Sequence, residues 1–486
     1  MKPIEIIFFI FYTFLLLILF IYAFHAYLML FLYRRNKKKF KNECQSLSTF
    51  PKVTVQLPVY NEEYVVERLI RSVCAMEYPK DKLEVQVLDD STDETRAIAQ
   101  SLVQAYERDG YNIRYCHREK REGYKAGALR EGLKFAEGEF IAIFDADFVP
   151  PKDFLLRAIP YFNNPQIGVV QSRWGHLNDD YSLLTWGQAL GLDGHFVIEQ
   201  VVRNVVGVFI NFNGTAGIWR KECILDAGNW QDDTLTEDMD LSYRAQLKGW
   251  KFIYLQDLVC PAEIPAEING FKNQQYRWAK GTSQTAKKIL PLIWKRKDLS
   301  LPIKFEATIH LTGNLVFPVM LLIALFTFPI LVLKVTCQPA RGYFLALSIF
   351  SLGALSYPLY YLYGQKEVYP DWKKRALYLP ILMGGGFGSS IINTRAVLEA
   401  LLNLKSDWLR TPKYNLTKKE NNWRGKKYQV NLSLLTLAEI LVGVYSFWTL
   451  FYAFKENQLA IVPFVFLYCF GFTFVGILSL AHAFKK

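Results

Sequence analysis

Cysteine is scarce in this sequence, and its few copies are scattered. The seven cysteines form no Cys-x-x-Cys pair and no cluster with histidine, which excludes a disulfide framework and a zinc site. Internal repeats and linkers rich in Gly, Ser or Pro are absent as well. The first strand-to-helix turn, Pro58-Val-Tyr-Asn-Glu62, lacks the Gly-x-Gly-x-x-Gly pattern, and this excludes a dinucleotide-binding dehydrogenase.

Acidic residues are outnumbered by basic ones, whereas apolar residues are plentiful. The 486 residues include 45 Asp and Glu against 57 Lys and Arg, a formal net charge of +12. Half of the chain (51%) is hydrophobic and 15% is aromatic, which excludes a disordered protein. The composition predicts a water-soluble domain joined to membrane segments. The positive charge fits nucleic acid, a membrane surface or an anionic ligand, and its distribution decides among them.

An apolar run from Ile4 to Tyr33 is long enough to span a bilayer core of roughly 30 Å. It is longer than a signal-peptide core and has no small-residue cleavage site, which predicts a retained span. The basic run Arg34–Lys39 follows, and basic flanks mark the cytoplasmic side. We therefore expect an integral protein of the inner or plasma membrane, with its N-terminus outside and its soluble domain in the cytoplasm. Because the basic residues gather at span ends, we expect no nucleic-acid partner.

Residues 51 to about 300 have the pattern of an α/β domain. Helices near 62–76, 93–108 and 124–136 alternate with strands predicted at Val53–Leu57, Glu84–Asp89, Ile113–His117 and Phe140–Phe144. This rhythm predicts βα units on a mainly parallel, Rossmann-like sheet. Such sheets bind ligands at the carboxyl ends of their strands, where acidic residues stand in this sequence.

Apolar runs return after residue 300, at 310–333, 343–363, 434–454 and 459–483. Another run, 376–402, contains Gly, Ser, Asn, Arg and Glu. The basic stretch behind it should be cytoplasmic, so an even number of crossings must precede it. We predict a first span (1–33), a cytoplasmic domain (34–263), interfacial helices (264–306), spans two and three (307–375), an interfacial or re-entrant helix (376–402), a cytoplasmic basic loop (403–430) and spans four and five (431–486).

Two carboxylates, Asp145 and Asp147, follow the fourth predicted strand. Side chains two residues apart on an extended chain point the same way, so this pair would hold Mg²⁺ or Mn²⁺ together with phosphate oxygens. Taken alone, an Asp-x-Asp pair is more often a solvated turn. Three further groups favour a site, because they recur in order on the same domain: Asp89-Asp90, Thr236-Glu237-Asp238 and Gln274-Gln-Tyr-Arg277-Trp278.

In this order the groups resemble the D, D-x-D, T-E-D and Q-x-x-R-W series of the processive family 2 glycosyltransferases. The resemblance covers about residues 50–290 and implies a GT-A catalytic domain joined to membrane helices. Three further runs resemble the same family: Pro58–Glu62, Gly123–Leu129 and Phe144–Phe148. More specifically, Gln171–Trp174, Phe212–Gly217 and Gly249–Tyr254 resemble the plant cellulose synthase-like families C and A, the glucan and mannan synthases.

The resemblance implies a role for each matching residue. It assigns Asp145 and Asp147 to the cation, and Asp238, Glu237 and Arg277 to catalysis. The nucleotide sugar donor would be bound by Pro58, Tyr60, Glu62, Asp89, Asp90, Lys125 and Asp145. The acceptor would be bound by Asn213, Gly214, Thr215, Gln274 and Trp278.

Asp238 is the candidate general base, because a sugar hydroxyl has to lose its proton as it attacks. Direct attack would invert an α-linked donor to a β-linked product. Arg277 offers a fixed fork for phosphate oxygens, and Trp278 offers a flat face for a sugar ring. The alternative is that Glu237 and Asp238 only stabilise a helix N-terminus.

The segment Trp408–Lys413 loosely resembles the gating loop of cellulose synthases, in which a threonine and a lysine close over the donor. Thr411 and Lys413 are the candidates, although Trp408-Leu409-Arg410 departs from the family's leading aromatic–Val pair. A plain membrane-surface patch explains these basic residues equally well. Ala279-Lys280-Gly281 departs from the plant pattern too, which leaves acceptor choice and processivity open.

The first functional prediction is an inverting, processive β-glycosyltransferase that polymerises glucose from UDP-glucose into β-1,4-glucan and translocates it. GDP-mannose with a mannan or glucomannan product is the second, and single transfer to a lipid such as ceramide is the third. A transporter or scaffold that only binds a nucleotide is the alternative from another class. The expected partners are the donor, the growing polysaccharide and the bilayer, with an accessory subunit or a second copy left open.

Overall fold

The computed structural model describes residues 2–37, 49–336, 341–406, 408–417, 421–427 and 432–484. Parts of three predicted features lie outside these ranges. They are the end of the first basic run (Lys38 and Lys39), portions of the basic loop (407, 418–420 and 428–430) and the C-terminal Lys485 and Lys486.

A mixed sheet organises the soluble domain. Its strands are β1 (Val53–Val59), β2 (Leu83–Asp89), β3 (Ile113–His117), β4 (Phe140–Ile143), β5 (Ile167–His176), β6 (Gly217–Arg220) and β7 (Lys251–Ala262). They are ordered β3-β2-β1-β4-β6-β5-β7. β6 runs antiparallel to both of its neighbours, and the other neighbouring pairs are parallel. The predicted α/β fold is confirmed, and the first four strands lie where the sequence placed them.

One long helix precedes the sheet and shorter ones alternate with its strands. They are α1 (Pro3–Asn36), α2 (Val66–Cys74), α3 (Thr95–Arg108), α4 (Tyr124–Phe135), α5 (Phe154–Ala158), α6 (Leu183–Asp193), α7 (Gln200–Val206), α8 (Lys221–Asp226) and α9 (Glu237–Leu247). Between α6 and α7 the chain forms a π-helical turn, Gly194–Glu199.

The C-terminal half is helical. Its helices are α10 (Ile268–Lys295), α11 (Leu301–Thr312), α12 (Val316–Thr336), α13 (Arg341–Leu347), α14 (Ser351–Ala354), α15 (Ser356–Val368), α16 (Trp372–Arg375), α17 (Leu379–Gly388), α18 (Ser390–Leu401), α19 (Leu435–Lys455) and α20 (Val462–Ala483).

The sheet is covered on both faces, as its alternating side chains require. Phe140 and Ala142 of β4 belong to an apolar layer with α2 and α5, whereas Ile141 and Ile143 belong to the opposite layer. The second layer also contains Tyr33 from the end of α1. The soluble domain is therefore packed directly onto the first apolar helix.

Among the described residues five helices are long and apolar enough to cross a membrane, and each contains one of the predicted runs: Pro3–Asn36, Leu301–Thr336, Gly342–Val368, Leu435–Lys455 and Leu459–Ala483. The second begins at Leu301, although the sequence placed its start at 307. A hydropathy reading misses this start because the first turns of the helix carry charged side chains. In the structure one of them, Glu306, is paired with His25 on α1 at 3.0 Å. The ambiguous run forms two helices, Trp372–Gly388 and Ser390–Leu401, bent by 43°. Its interfacial or re-entrant character stays a prediction.

The amphipathic helix α10 is fastened to the apolar helices by lysines on one face. The Lys272 ammonium donates to both carboxylate oxygens of Glu439 on α19, at 2.8 and 3.0 Å. Lys280 lies 2.8 Å from Glu399 on α18, and Lys287 donates to the carbonyl of Leu401 at the end of the same helix. At about 100° per residue these lysines share a face that is opposite to the one bearing Trp278.

Candidate functional site

The carboxyl ends of β1 and β4 open into a cavity of about 200 Å³. This is the edge where parallel α/β sheets place their ligands. The cavity collects side chains from all four predicted acidic and basic groups. Its lining includes Pro58, Tyr60, Glu62, Asp90, Lys125, Asp145, Asp147, Asn213, Gly214, Glu237, Asp238, Gln274, Arg277, Trp278, Thr411 and Lys413.

Two candidate residues lie behind the cavity wall. The Asp89 carboxylate is buried and accepts hydrogen bonds from the Tyr115 hydroxyl and the Ser91 amide, both at 2.8 Å. Asp90, next to it, lines the cavity and is paired with Arg118. Thr215 is also buried, and its hydroxyl accepts from the Asp145 amide at 2.8 Å. Their positions make Asp89 and Thr215 supports of the site, because hydrogen bonds within the domain already occupy their polar groups.

The Asp145–Asp147 pair lies at the cavity floor, and each carboxylate is matched by a lysine. The Lys125 ammonium is 2.5 Å from Oδ1 of Asp145, and that of Lys413 is 2.5 Å from Oδ2 of Asp147. Burial lowers the pKa of Lys125, but the carboxylates of Asp145 and Glu237 outweigh it and hold the pKa above its usual value. Burial raises the pKa of Asp145, in spite of Lys125.

These two carboxylates fit a divalent cation. Within the described residues no group of three or more His, Cys, Asp or Glu side chains is placed to hold a metal ion. A cation at Asp145 and Asp147 would thus need further oxygens, and a diphosphate supplies them. Two carboxylates with phosphate oxygens are a donor set that Mg²⁺ accepts, and Mn²⁺ also prefers oxygen ligands.

Asp238 stands in the first turn of α9 and lines the same cavity. Burial raises the pKa of Asp238 to about 7, and the neighbouring Glu237 carboxylate adds to the effect. Gly214 makes room for it. At φ +81° a Cβ there would lie 3.0 Å from Oδ2 of Asp238, so only glycine suits both the backbone and the space. The site therefore holds a carboxyl whose pKa is suited to accepting a proton near neutral pH.

A second cavity, of about 550 Å³, meets the first at Asp238. It extends between α6, α10, α12, α15, α17 and α20, and aromatic side chains such as Phe317, Phe387 and Phe474 line it. Both cavities share several residues: Trp174, Leu192, Asn213, Thr236, Asp238, Gln274 and Trp278. Asp238 and Trp278 thus stand where a polar pocket joins a path between the apolar helices.

The basic segment Trp408–Lys413 contributes Trp408, Arg410, Thr411 and Lys413 to the lining of the smaller cavity. The Arg410 guanidinium contacts both carboxylate oxygens of Glu62, at 3.2 and 2.8 Å. Arg277 donates to the Leu409 carbonyl and to the Thr411 hydroxyl, at 2.8 and 2.9 Å. Thr411 and Lys413 are 5% and 7% exposed, so these two are not part of a solvated surface patch.

Sequence reasoning missed Arg121, Arg410 and His195. The Arg121 guanidinium stacks 3.5 Å from the ring centre of Tyr60 and 4.6 Å from that of Trp408. His195 lines the larger cavity. None of the three belongs to a recognised motif, and Arg121 and Arg410 reach the site through contacts with distant parts of the chain.

Comparison with known proteins agrees with this geometry. Residues 51–281 match the family model described as glycosyltransferase like family 2. The chain is 46% identical over 259 residues to glucomannan 4-beta-mannosyltransferase 1 of Oryza sativa subsp. japonica, covering 52% of this chain and 50% of that protein. It is 47% identical over 257 residues to glucomannan 4-beta-mannosyltransferase 2 of Arabidopsis thaliana, covering 52% and 48%. The matched region spans about half the length of these relatives.

Among solved structures, a mannosyltransferase from Pyrobaculum calidifontis in complex with GDP-Man and Mn²⁺ has the same fold. The TM-score is 0.53 at 21% identity, over 80% of this chain and 99% of that one. Both relatives are named as mannosyltransferases, whereas the first prediction from the sequence was a glucan synthase of the family C type. Fold, motifs and family match agree: residues 51–281 of this chain form a GT-A-like domain that matches glycosyltransferase family 2.

Proposed function

We propose that the chain is a membrane-embedded inverting β-mannosyltransferase that uses GDP-mannose and extends a β-1,4-linked mannan or glucomannan. The identity to two glucomannan 4-beta-mannosyltransferases supports this donor over UDP-glucose, which was the first expectation from the sequence. The observation that carries the proposal is the position of Asp238, which borders both cavities.

In the proposed reaction the smaller cavity binds the donor and the larger one the acceptor. An acceptor hydroxyl attacks the anomeric carbon, its proton passes to the Asp238 carboxylate, and the bond from that carbon to the diphosphate oxygen breaks. Attack from the side opposite the leaving group inverts the centre and gives a β-linkage from an α-linked donor. An elevated pKa makes the Asp238 carboxylate a stronger base than an ordinary aspartate.

The leaving diphosphate gains negative charge, and the cavity is built to receive it. Lys125, Arg277 and Lys413 all line this cavity. Asp145 and Asp147 would hold Mg²⁺ or Mn²⁺, which supplies charge neutralisation at the diphosphate when bound. Arg277 suits phosphate oxygens because its guanidinium is planar and presents paired donors.

We assign the acceptor to Trp278, Gln274, Asn213 and Gly214. The cavity behind them is lined by aromatic rings and by amides such as Gln188 and Asn314, a mixture that suits a sugar chain. A path of this size between apolar helices supports processive extension and export of the product. It also leaves room for a single transfer to a lipid, which product analysis distinguishes.

We propose that the segment Trp408–Lys413 closes over the donor through Thr411 and Lys413. Its contacts with Glu62, Asp147 and Arg277 support this role, because all three line the donor cavity. We further propose a cytoplasmic catalytic domain and an external N-terminus, from the basic residues that flank the apolar helices.

The test is a donor panel on the full chain in detergent or native membranes, with Mn²⁺ or Mg²⁺. Radiolabelled GDP-mannose, UDP-glucose and UDP-N-acetylglucosamine are offered in parallel, and Asp238→Asn serves as the control. We expect at least tenfold more incorporation from GDP-mannose, into material that endo-β-1,4-mannanase digests and β-1,4-glucanase does not. Product length at a low ratio of enzyme to acceptor measures processivity.

Each other outcome selects an alternative. Preferred incorporation from UDP-glucose into glucanase-sensitive material restores the glucan synthase. Label confined to a lipid extract indicates a single-transfer enzyme. Nucleotide binding without transfer from any donor indicates a transporter or scaffold.

A further inference from the structure

We propose that His195, held by Glu199, is a positioning residue that fixes the side-chain amide of Asn213 at the acceptor side of the reaction centre. The inference rests on the proposed function and adds to it a residue outside the recognised motifs. The observation behind it is a chain of hydrogen bonds at the larger cavity that links Glu199, His195 and Asn213.

His195 sits on a local irregularity of a long helix. The π-helical turn Gly194–Glu199 interrupts the run from α6 to α7. Such turns release carbonyl groups from the regular ladder and recur at functional sites. Here tyrosine hydroxyls cover two of these carbonyls, with Tyr360 donating to Gly194 and Tyr254 to Phe196, both at 2.6 Å. The turn is thus held in place by neighbouring elements, and its His195 side chain lines the cavity.

The hydrogen bonds around His195 run in one direction. Nδ1 lies 3.0 Å from Oε2 of Glu199, whose Oε1 accepts from the buried Arg203 at 2.9 Å. Burial raises the pKa of the Glu199 carboxyl, but the hydrogen bond with His195 and the charge of Arg203 outweigh it and hold the pKa well below its usual value. An ionised Glu199 accepts only, so these partners assign the ring proton to Nδ1 and leave a lone pair on Nε2.

That lone pair orients Asn213. Nε2 of His195 is 3.0 Å from Nδ2 of Asn213, and Gln200 donates to Oδ1 of the same amide at 2.6 Å. The amide is therefore fixed at both ends, and one of its N–H groups has no partner among the residues that the structure describes. Asn213 borders both cavities, and the next residue, Gly214, is the one that faces Asp238. The remaining N–H is thus available to a hydroxyl of the acceptor's terminal sugar, close to the attacking oxygen.

The two hydrogen bonds of His195 can be tested one at a time with glutamine and asparagine, whose side-chain amides differ in reach by one methylene. Gln at position 195 reaches the place of Nε2 and keeps a contact with Asn213, whereas Asn reaches only the place of Nδ1 and keeps the contact with Glu199. We compare His195→Gln, His195→Asn and His195→Ala with the wild-type full chain in detergent. His117→Ala on β3 is the control. The readouts are the KM for GDP-mannose, the KM for β-1,4-mannohexaose and donor-free binding of mannohexaose followed by tryptophan fluorescence.

We expect Asn and Ala to weaken mannohexaose binding and to raise its KM about tenfold, the effect of one hydrogen bond. Gln should stay within about threefold of wild type, and the KM for GDP-mannose should change less than twofold throughout. Equal behaviour of Gln and Asn overturns the positioning role, and so does an equal rise of both KM values or a wild type that binds no mannohexaose. Donor-free binding keeps this result distinct from the donor panel, which alone decides the proposed function.

Discussion

The ammonium of Lys413 lies 2.5 Å from the carboxylate of Asp147, although 265 residues separate them in the chain. The same ammonium donates to the Glu263 carbonyl at 2.6 Å, so the side chain is held from two sides. Lys125 occupies the matching position on Asp145. A divalent cation at this pair would compete with both ammonium groups, because they interact with the same oxygens.

We expect Lys413→Ala to strengthen Mn²⁺ binding by about tenfold in the absence of nucleotide, since one competing unit charge is removed. The same variant should raise the KM for the donor, because the segment loses a contact to the diphosphate region. Titration of Mn²⁺ by electron paramagnetic resonance measures the first effect and initial rates measure the second. Lys405→Ala removes an equal charge from an exposed position and should change neither. Unaltered Mn²⁺ affinity in Lys413→Ala would contradict the competition.

We expect the rate to depend on pH through Asp238. Since burial raises the pKa of Asp238 to about 7, the base is protonated and inactive below that pH and ionised above it. The kcat/KM should therefore fall about tenfold per unit on the acidic side, over pH 5 to 7. Asp238→Asn should reduce transfer by about 10² to 10⁴-fold, whereas the exposed Asp233→Asn should keep the wild-type profile. A flat profile down to pH 5 would exclude Asp238 as the base.

We expect Trp278→Ala to raise the acceptor KM at least tenfold with little effect on the donor KM, because the indole lines the cavity assigned to the sugar chain. Trp294 on the same helix α10 is 52% exposed and lines neither cavity, so Trp294→Ala is the matched control. Initial rates with mannohexaose and GDP-mannose varied in turn provide both constants. A loss confined to the donor KM would move Trp278 into the donor site.

We expect that removing one partner of the Lys272–Glu439 pair destabilises the fold, whereas replacing both partners with apolar side chains has a much smaller effect. Both side chains are buried, so Lys272→Met leaves an unpaired carboxylate and should lower the free energy of unfolding by about 3–5 kcal/mol. The double variant Lys272→Met, Glu439→Met should recover most of that loss. Thermal unfolding in detergent measures both. The exposed pair Lys134 and Glu131 is the control, and its disruption should cost at most about 0.5 kcal/mol. Additive losses in the double variant would contradict the coupling.

Much of the fold could be predicted because its signals are local. The alternation of short β-rich runs and helices placed β1 to β4, and apolar runs of 20 or more residues marked each helix able to span a membrane. The boundary at Leu301 was missed because hydropathy scores Glu306 as exposed charge, whereas the folded chain pairs it with His25. Pairing between distant helices leaves no periodic signal.

The candidate site, like the fold, could be predicted from the sequence only where its signals are local. Asp145, Asp147, Asp238 and Trp278 were identified because each belongs to a short motif of fixed spacing. Of the predicted donor residues Asp89 and Asp90, Asp90 lines the cavity and Asp89 does not, since the Asp89 carboxylate already accepts two hydrogen bonds inside the domain. The structure also brought in His195, which lines the larger cavity beside Gln188 and Leu192 of α6.

The sequence by itself determined β1 to β4, the apolar runs, the class of chemistry and the candidate residues for it, because period and motif spacing act over a few residues. The tertiary structure alone decided which distant groups meet: Arg410 with Glu62, Lys413 with Asp147 and His195 with Asn213. Those contacts depend on how the helices pack on the sheet. Packing is a property of the whole chain, so no local pattern records it.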